Sequence, residues 1–373
     1  MADPLLMLFC ADPLSPARVD EHFAGQAAAV REMGGQVALI DHDALLRGEA
    51  GAAVRRVPRD SGPWWYRGWM IPGPAYADLA QALHGRGATL RVAPRRYRLA
   101  HELPGWYPTF HEVTPESDWT AWTPGEVPSP EFVAPMAGTV GPGPAVVKDY
   151  VKSRKHEWHE ACFIPDTTDL VHATAVVARM VELQQESLAG GIVLRRFESY
   201  RQHDGRTAEA RVWWVDGAAA MVTAHPDTPA TIVEPDLTFI APLVAALSCP
   251  FVTTDLAQRD DGVWRVVEVG DGQVSDIPPN TDMTPLFTML AAPSTIDLPP
   301  RCPNCDAVGV PLLYGLPTPE AHAAAEGGEL LLAGCLVAED APLWRCGHGH
   351  EWPGGEAQHS AHIGAILMDY EPA

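Results

Sequence analysis

Two Asp-Gly pairs, Asp216-Gly217 and Asp261-Gly262, each stand between runs of strand-forming residues. A two-residue hairpin loop of type I′ needs positive φ at both positions, and Asp-Gly tolerates that geometry best. Hairpins make antiparallel sheet, and the loop length sets which residues face each other across it. With Asp261-Gly262 as the loop, Asp260 faces Val263 and Asp255 lies directly opposite Glu268. Cross-strand neighbours hold their Cβ atoms about 4.5–5.5 Å apart, so two carboxylates placed there repel unless something positive joins them. On the other face the same register stacks Val252, Thr254 and Leu256 near Val267 and Val269 as core. The carboxylate face therefore reads as a place for a hard divalent cation such as Mg²⁺, and Asp271 and Gln273 of the following Gly-Asp-Gly-Gln offer further oxygens. The first hairpin puts Glu209, Arg211 and Trp213 on one strand face.

These hairpins sit in a longer pattern. Strands at 145–150, 191–197, 207–215, 218–224, 251–258 and 263–270, with a helix over 167–186, make residues 145–295 a largely antiparallel α+β domain. Upstream, Leu5–Phe9 and Gln36–Ile40 read as buried strands around a helix carrying Val19, Phe23, Ala27, Val30 and Met33, which Gly34-Gly35 ends. Trp64–Arg67, a helix near 75–85 and Thr89–Val92 repeat the alternation, so residues 1–110 form a small parallel α/β domain. The proline-rich stretch 111–144 is expected as a linker, 300–353 as a cysteine-bracketed unit and 354–373 as a tail.

Charge is distributed unevenly. Of 26 cationic residues only three are lysines, Lys148, Lys152 and Lys155, all within eight positions. A compact ammonium on a flexible stem serves phosphate as a point charge, a task the planar guanidinium performs differently. The net charge of −22 repels nucleic acid, so no nucleic-acid partner is expected. No apolar run approaches the ~18 residues of a membrane span, and the apolar start lacks a basic flank, so a soluble cytoplasmic protein is expected. Cys302-Pro-Asn-Cys305 has the spacing of a metal knuckle, and Cys346 with His348 or His350 would complete a tetrahedral Zn²⁺ site, Cys335 being held in reserve. A standard ribbon repeats Cys-x-x-Cys, but Gly349 stands at the last position, so one histidine must replace a thiolate. Cys10, Cys162 and Cys249 are expected as buried apolar side chains.

Neither a P-loop nor a dinucleotide fingerprint occurs, so a nucleotide site would have to use lysines on a strand and loop, an arginine on a sheet, and carboxylates holding Mg²⁺. That combination, with Tyr66-Arg-Gly-Trp-Met70, Leu103-Pro-Gly-Trp-Tyr107, the segment Val146–Trp158, Gly190–Arg195, Glu209-Ala-Arg211, Phe251–Asp255 and Val267–Ser275, resembles the ATP-grasp superfamily, in the clade named for one arginine and two lysines. The resemblance implies an α/β and α+β architecture: an N-terminal α/β (pre-ATP-grasp) domain, an ATP-grasp domain and a small C-terminal zinc-ribbon-like domain. It implies an ADP-forming carboxylate–amine ligase that uses ATP and Mg²⁺ through an acyl phosphate, with small-molecule or peptide carboxylates and amines as partners. A phosphotransferase and a non-catalytic, nucleotide-dependent binding or immunity-type protein are the alternatives. Carried over, Lys148 resembles the strand lysine on the α and β phosphates, and Lys155 or Lys152 the loop lysine that closes over them. Arg211 resembles the phosphate or acyl-phosphate arginine, and Asp255 and Glu268 the Mg²⁺ ligands, with Asp271 or Gln273 standing in where the superfamily often has Asn. Arg195, Arg196 and Phe197, with Glu209, would contact the nucleotide, and Arg67 would fork onto a substrate carboxylate.

Overall fold

A computed structural model of the chain describes residues 4–368 apart from 124, 204, 230–232, 293–299, 306–307, 336–337 and 339–340. The chain divides into two units: one contains the segment up to Tyr97, Gln273–Ser275 and the segment from Asp282 onward, the other Arg98–Gly272 with Asp276–Thr281. In the first, β1 (Leu6–Cys10) lies between β2 (Gln36–Ile40) and β3 (Trp65–Arg67), parallel to both. Helix α1 (Ala24–Glu32) joins β1 to β2, and α2 (Gly73–His84) follows β3. Residues 89–92 form no strand: Leu90 makes one parallel bridge to Trp64 before the chain turns into a helix at Pro94.

The second unit holds two four-stranded sheets. In order along the chain, β4 (Ser117–Ala121), α3 (Pro130–Val140), β5 (Ala145–Asp149), β6 (Phe163–Ile164), α4 (Leu170–Gln184) and β7 (Gly191–Arg196) build the first, an antiparallel sheet with strand order β4-β7-β5-β6. The expected linker 111–144 is therefore part of the domain. Ser129 caps α3 through the Phe132 amide and Pro130 occupies its first turn, where a missing N–H costs nothing. Val133, Met136 and Val140 then pack against Val147, Val177 and Leu194. Prolines at a helix start hide a regular element.

The second sheet contains β8 (Glu209–Val215), β9 (Ala218–Ala224), β10 (Phe251–Gln258) and β11 (Trp264–Asp271), in the order β9-β8-β10-β11. Its core takes Val212, Trp214, Val252 and Leu256, and also Leu103, Trp106 and Phe110, so the domain boundary expected at 110 lies nearer residue 98. Asp216 and Gly217 have φ of 47° and 77° and join β8 to β9 as the expected two-residue turn. The other hairpin is built differently. Arg259 N–H donates to Val263 O at 2.9 Å, and among Asp260, Asp261 and Gly262 only Gly262 has positive φ, 91°. The loop is thus three residues long, and Leu256 pairs with Val266. A bulge then shifts the register between Leu256 and Asp255, which restores Asp255 opposite Glu268. Val266, not Val267, joins the core beside Leu256.

Arg195 explains how the bulge is tolerated. Only 6% exposed, its Nη2 donates to Val267 O at 2.8 Å, Val266 O at 3.3 Å and Thr114 Oγ1 at 2.6 Å, and its guanidinium lies 5.6 Å from the Trp106 ring centre. The carbonyls beside the bulge find a donor there.

In the remainder of the first unit, β12 (Gly309–Leu313), α5 (Pro319–Glu326), β13 (Leu331–Leu332), β14 (Trp344–Cys346) and β15 (Glu351–Trp352) give a sheet ordered β13-β12-β14-β15. The expected tail contains α6 (Glu356–Met368), whose Ile363 and Ile366 pack with Ala324 and Leu330. Among the described residues, no helix is long and apolar enough to cross a membrane.

Arg195→Lys keeps the charge but loses the donor at the Nη2 position, leaving Val267 O without its partner while Val266 O keeps the Thr114 hydroxyl at 2.7 Å. It should lower unfolding free energy by roughly 1–3 kcal/mol, read as a reduced urea midpoint. An unchanged midpoint would show that the bulge needs no guanidinium.

Candidate functional site: a row of paired charges

The register aligns Thr223, Arg211, Asp255 and Glu268 across β9, β8, β10 and β11. Arg211 donates from Nε and Nη2 to the two oxygens of Asp255, each at 2.8 Å, and from Nη1 to Asp276 O at 2.9 Å. Lys148, 8% exposed on β5, donates from Nζ to Glu268 Oε1 at 2.7 Å. The expected repulsion between Asp255 and Glu268 is therefore answered inside the protein, since each acid carries its own cation. His225, directly after β9, brings Nε2 to 3.5 Å from Asp255 Oδ2 and accepts the Asp227 N–H on Nδ1 at 3.1 Å. Asp227 in turn pairs with Lys155. Glu209, His225 and Asp255 each offer a ligand atom within 4.8 Å of the others.

Burial works against the charge on Asp255, but Arg211 and then His225 outweigh it and hold the carboxyl far below the usual range. Glu268 is also lowered: burial raises it, and Lys148 more than compensates. Glu209 moves the other way, pushed up to about 7 by burial, with Asp255 adding to the effect and His225 opposing it. Burial lowers His101 to about 4, with Lys148 and Lys152 pushing in the same direction and Glu268 opposing.

Asp149, the residue after Lys148, shapes the lysine loop. Its side chain, 1% exposed, accepts from Val151 N, Lys152 N and Ala189 N and from Gln184 Nε2. Gly190, at φ 70°, leaves room for the Tyr150 ring, which a Cβ there would meet at 2.2 Å. Sequence reasoning misses Asp149, His101, His225 and Asp227. Asp149 adjoins a lysine that the sequence singles out, and His225-Pro-Asp follows a strand whose register the first hairpin sets.

Other expected site residues are placed elsewhere. Lys152 is exposed in the loop. Arg195 serves the bulge and Arg196 donates to Val140 O at the end of α3, while Phe197 packs against Trp158 and Phe163 at 5.9 and 5.4 Å. The expected metal-ligand roles of Asp271 and Gln273 are corrected. Pairing runs without interruption from Glu268 to Asp271, so the odd position places Asp271 on the opposite face, fully buried. Gln273 belongs to the first unit, where Oε1 accepts from Tyr66 N at 3.0 Å and Nε2 donates to Tyr76 Oη at 3.0 Å. Arg67, expected to fork onto a substrate carboxylate, is 1% accessible and donates within the protein, to Gln26 Oε1 at 2.9 Å and Gln273 O at 3.1 Å.

The cysteines form a second centre. Cys305 Sγ lies 3.7 Å from Cys346 Sγ, and His350 Nδ1 lies 3.6, 3.3 and 3.6 Å from the sulfurs of Cys302, Cys305 and Cys346. A tetrahedral Zn²⁺ with its usual bond lengths has S–S edges of about 3.8 Å and S–N edges of about 3.5 Å. The donor set fits that ion. Burial opposes charge on Cys302, but the Asn304 and Cys305 amides and neighbouring thiols bring it down to about 7. His350 completes the set. His348 stands beside it, and Cys335 is exposed with its Sγ 3.8 Å from Gly315 O.

Comparison with known families matches residues 137–292 to an ATP-grasp domain, family 3 of the clade named for one arginine and two lysines. No curated protein sequence matches the chain. Among solved structures, a RimK domain ATP-grasp protein from Sphaerobacter thermophilus is 14% identical with a TM-score of 0.49, covering 76% of this chain and 98% of that one. The D-cycloserine synthetase DcsG is 16% identical with a TM-score of 0.49, covering 77% and 98%. The ATP-grasp ligase PsnB, in complex with a minimal precursor, Mg and ADP, is 14% identical with a TM-score of 0.43, covering 78% and 98%.

The Glu209 carboxyl keeps its proton to about pH 7 when folded and loses it near about 4.3 when unfolded. The folded state then holds this proton more tightly between those values, so the Glu209 contribution to stability falls as pH rises through that window. Glu209→Gln should stabilise the chain at pH 8 by roughly 1–3 kcal/mol, the difference vanishing near pH 4. Urea midpoints at pH 4.5, 6 and 8 measure this. A pH-independent difference would show that Glu209 is already ionised in the folded chain.

Proposed function

We propose, from the premise that residues 137–292 are an ATP-grasp domain of the one-arginine, two-lysine clade, that the chain is an ATP- and Mg²⁺-dependent ligase joining a carboxylate to an amine. The observation that carries this reading is the convergence of Lys148, Arg211, Asp255 and Glu268 on one sheet face, with Lys155 tethered beside it through Asp227. Phosphate binding requires cations, a hard metal requires carboxylates, and acyl transfer to an amine requires no protein nucleophile. The face supplies the first two.

Lys148 and Lys155 offer compact charges to the phosphates, and Arg211 offers a planar fork to the transferring phosphoryl group or the acyl phosphate. Asp255 and Glu268, oxygen donors on adjacent strands, would hold Mg²⁺, which when bound neutralises charge on the phosphates. The carboxylate substrate attacks the γ-phosphorus and ADP leaves; the amine then attacks the acyl carbon and phosphate leaves. The cationic side chains steady the negative charge of both steps. Substrates of this reading are small molecules or peptides.

The cysteine centre complements this as a structural Zn²⁺ site of Cys302, Cys305, Cys346 and His350, whose four protein ligands leave no open position. Elemental analysis should find about one zinc per chain, retained in Cys335→Ser and lost in Cys302→Ser. Metal-free protein prepared without chelators would remove this part of the reading.

Turnover against pooled amino acids should release ADP, not AMP. Lys148→Met should abolish it while lowering stability by only ~1 kcal/mol, because Glu268, 41% exposed, can be solvated once its partner is gone. Glu268→Gln should lose the extra thermal stability that Mg·ATP confers on the parent by binding its folded state. Equal nucleotide-dependent shifts in parent and both variants would overturn the assignment.

A further inference from the structure

His348 is close to the cysteine centre but outside its four-ligand set. Its Nδ1 lies 3.3 Å from Cys305 Sγ, and its Nε2 lies 2.6 Å from Asp60 Oδ1. The ring therefore touches a metal-binding sulfur with one nitrogen and a carboxylate from the loop before β3 with the other. Cys305 is the least buried of the three clustered thiols and the one His348 reaches.

The Asp60 end of this chain of contacts is also well defined. Asp60 has φ 55°, a left-handed conformation that a residue with a side chain adopts at some cost. Its N–H donates to Arg86 O at 3.1 Å, and Gly87 leaves space where a Cβ would come within 2.3 Å of Asp60 Oδ1. A second tie runs parallel to the first: Arg301, adjacent to Cys302, donates from Nη2 to Gly62 O at 3.0 Å. Both Asp60 and Gly62 are thus held by residues next to, or in contact with, the metal-binding cysteines.

We propose that His348 is a positioning residue that links the zinc centre to the loop 58–63, so that metal binding and the order of that loop are coupled. The inference rests on the zinc reading above and extends it from a local staple to a long-range tie within the first unit. The chemistry is that of hydrogen-bonded metal ligands generally: an N–H directed at a thiolate offsets part of its charge and fixes its direction, and losing such a partner costs 10–100-fold in affinity. Coupling is reciprocal, so whatever loop 58–63 gains from the metal, the metal gains from the loop.

The test uses the full chain with Zn²⁺ and with Co²⁺ as a spectroscopic substitute, in the parent and in His348→Ala, His348→Gln and Asp60→Asn. Chelator competition should show zinc affinity falling 10–100-fold in His348→Ala and Asp60→Asn, with one metal per chain and tetrahedral d–d bands retained. The sulfur-to-cobalt charge-transfer band should shift in His348→Ala and return towards the parent in His348→Gln, whose amide can still donate to Cys305. Hydrogen exchange across residues 58–63 should slow on metal binding in the parent and respond little in His348→Ala. Parent-like affinity and charge-transfer band in His348→Ala would overturn the link while leaving the zinc site standing. A parent chain that binds neither ion would overturn both.

Discussion

The ion pair between Arg211 and Asp255 is the contact on which the rest of the site is arranged. Both groups are nearly buried, at 11% and 5% side-chain exposure, and both Asp255 oxygens are engaged. Removing either partner would strand a charge that burial penalises heavily. With Asp255 satisfied from one side, Glu268, the more exposed of the two acids, is paired by Lys148 from another sheet. The order across the face is positive, negative, negative, positive, and the buried pair of Arg211 and Asp255 depends most on both members being present.

Much of this is legible in the sequence, but partly by compensation. The pairing of Asp255 with Glu268 follows from a two-residue loop at Asp261-Gly262, and the pairing is correct although the loop is not. One additional loop residue and one bulge residue cancel, and nothing in the local sequence announces the bulge. The partner that tolerates it, Arg195, is remote in sequence and reads there as a nucleotide contact. Asp216-Gly217 matches its expected turn because both positions take positive φ. Asp271 and Gln273 mislead because proximity in sequence ignores strand parity and the ends of strands. The proline-rich segment 111–144 misleads because proline at a helix start and proline in a linker look alike without the cap that Ser129 provides.

The cysteine centre shows the same limits in a different form. Ligand types and the Cys302–Cys305 spacing are readable, whereas the choice between two histidines two residues apart depends on a turn. Cys346 N–H donates to His350 O at 3.0 Å and Gly349 N–H to Cys346 O at 2.9 Å, with Gly349 at φ 81°. That turn carries His350 inward and leaves His348 facing Asp60.

The row of paired charges has a further consequence. Its four formal charges sum to zero, so the row itself adds no net attraction for an anion and leaves the long-range field to the chain's net charge of −22. An anion that takes Lys148 or Arg211 competes with a carboxylate already bonded to it. The face is in that sense a competitor for its own ligand: occupancy is an exchange of partners, and its free energy is a difference between two sets of ion pairs. When the anion departs, the protein bonds to itself again.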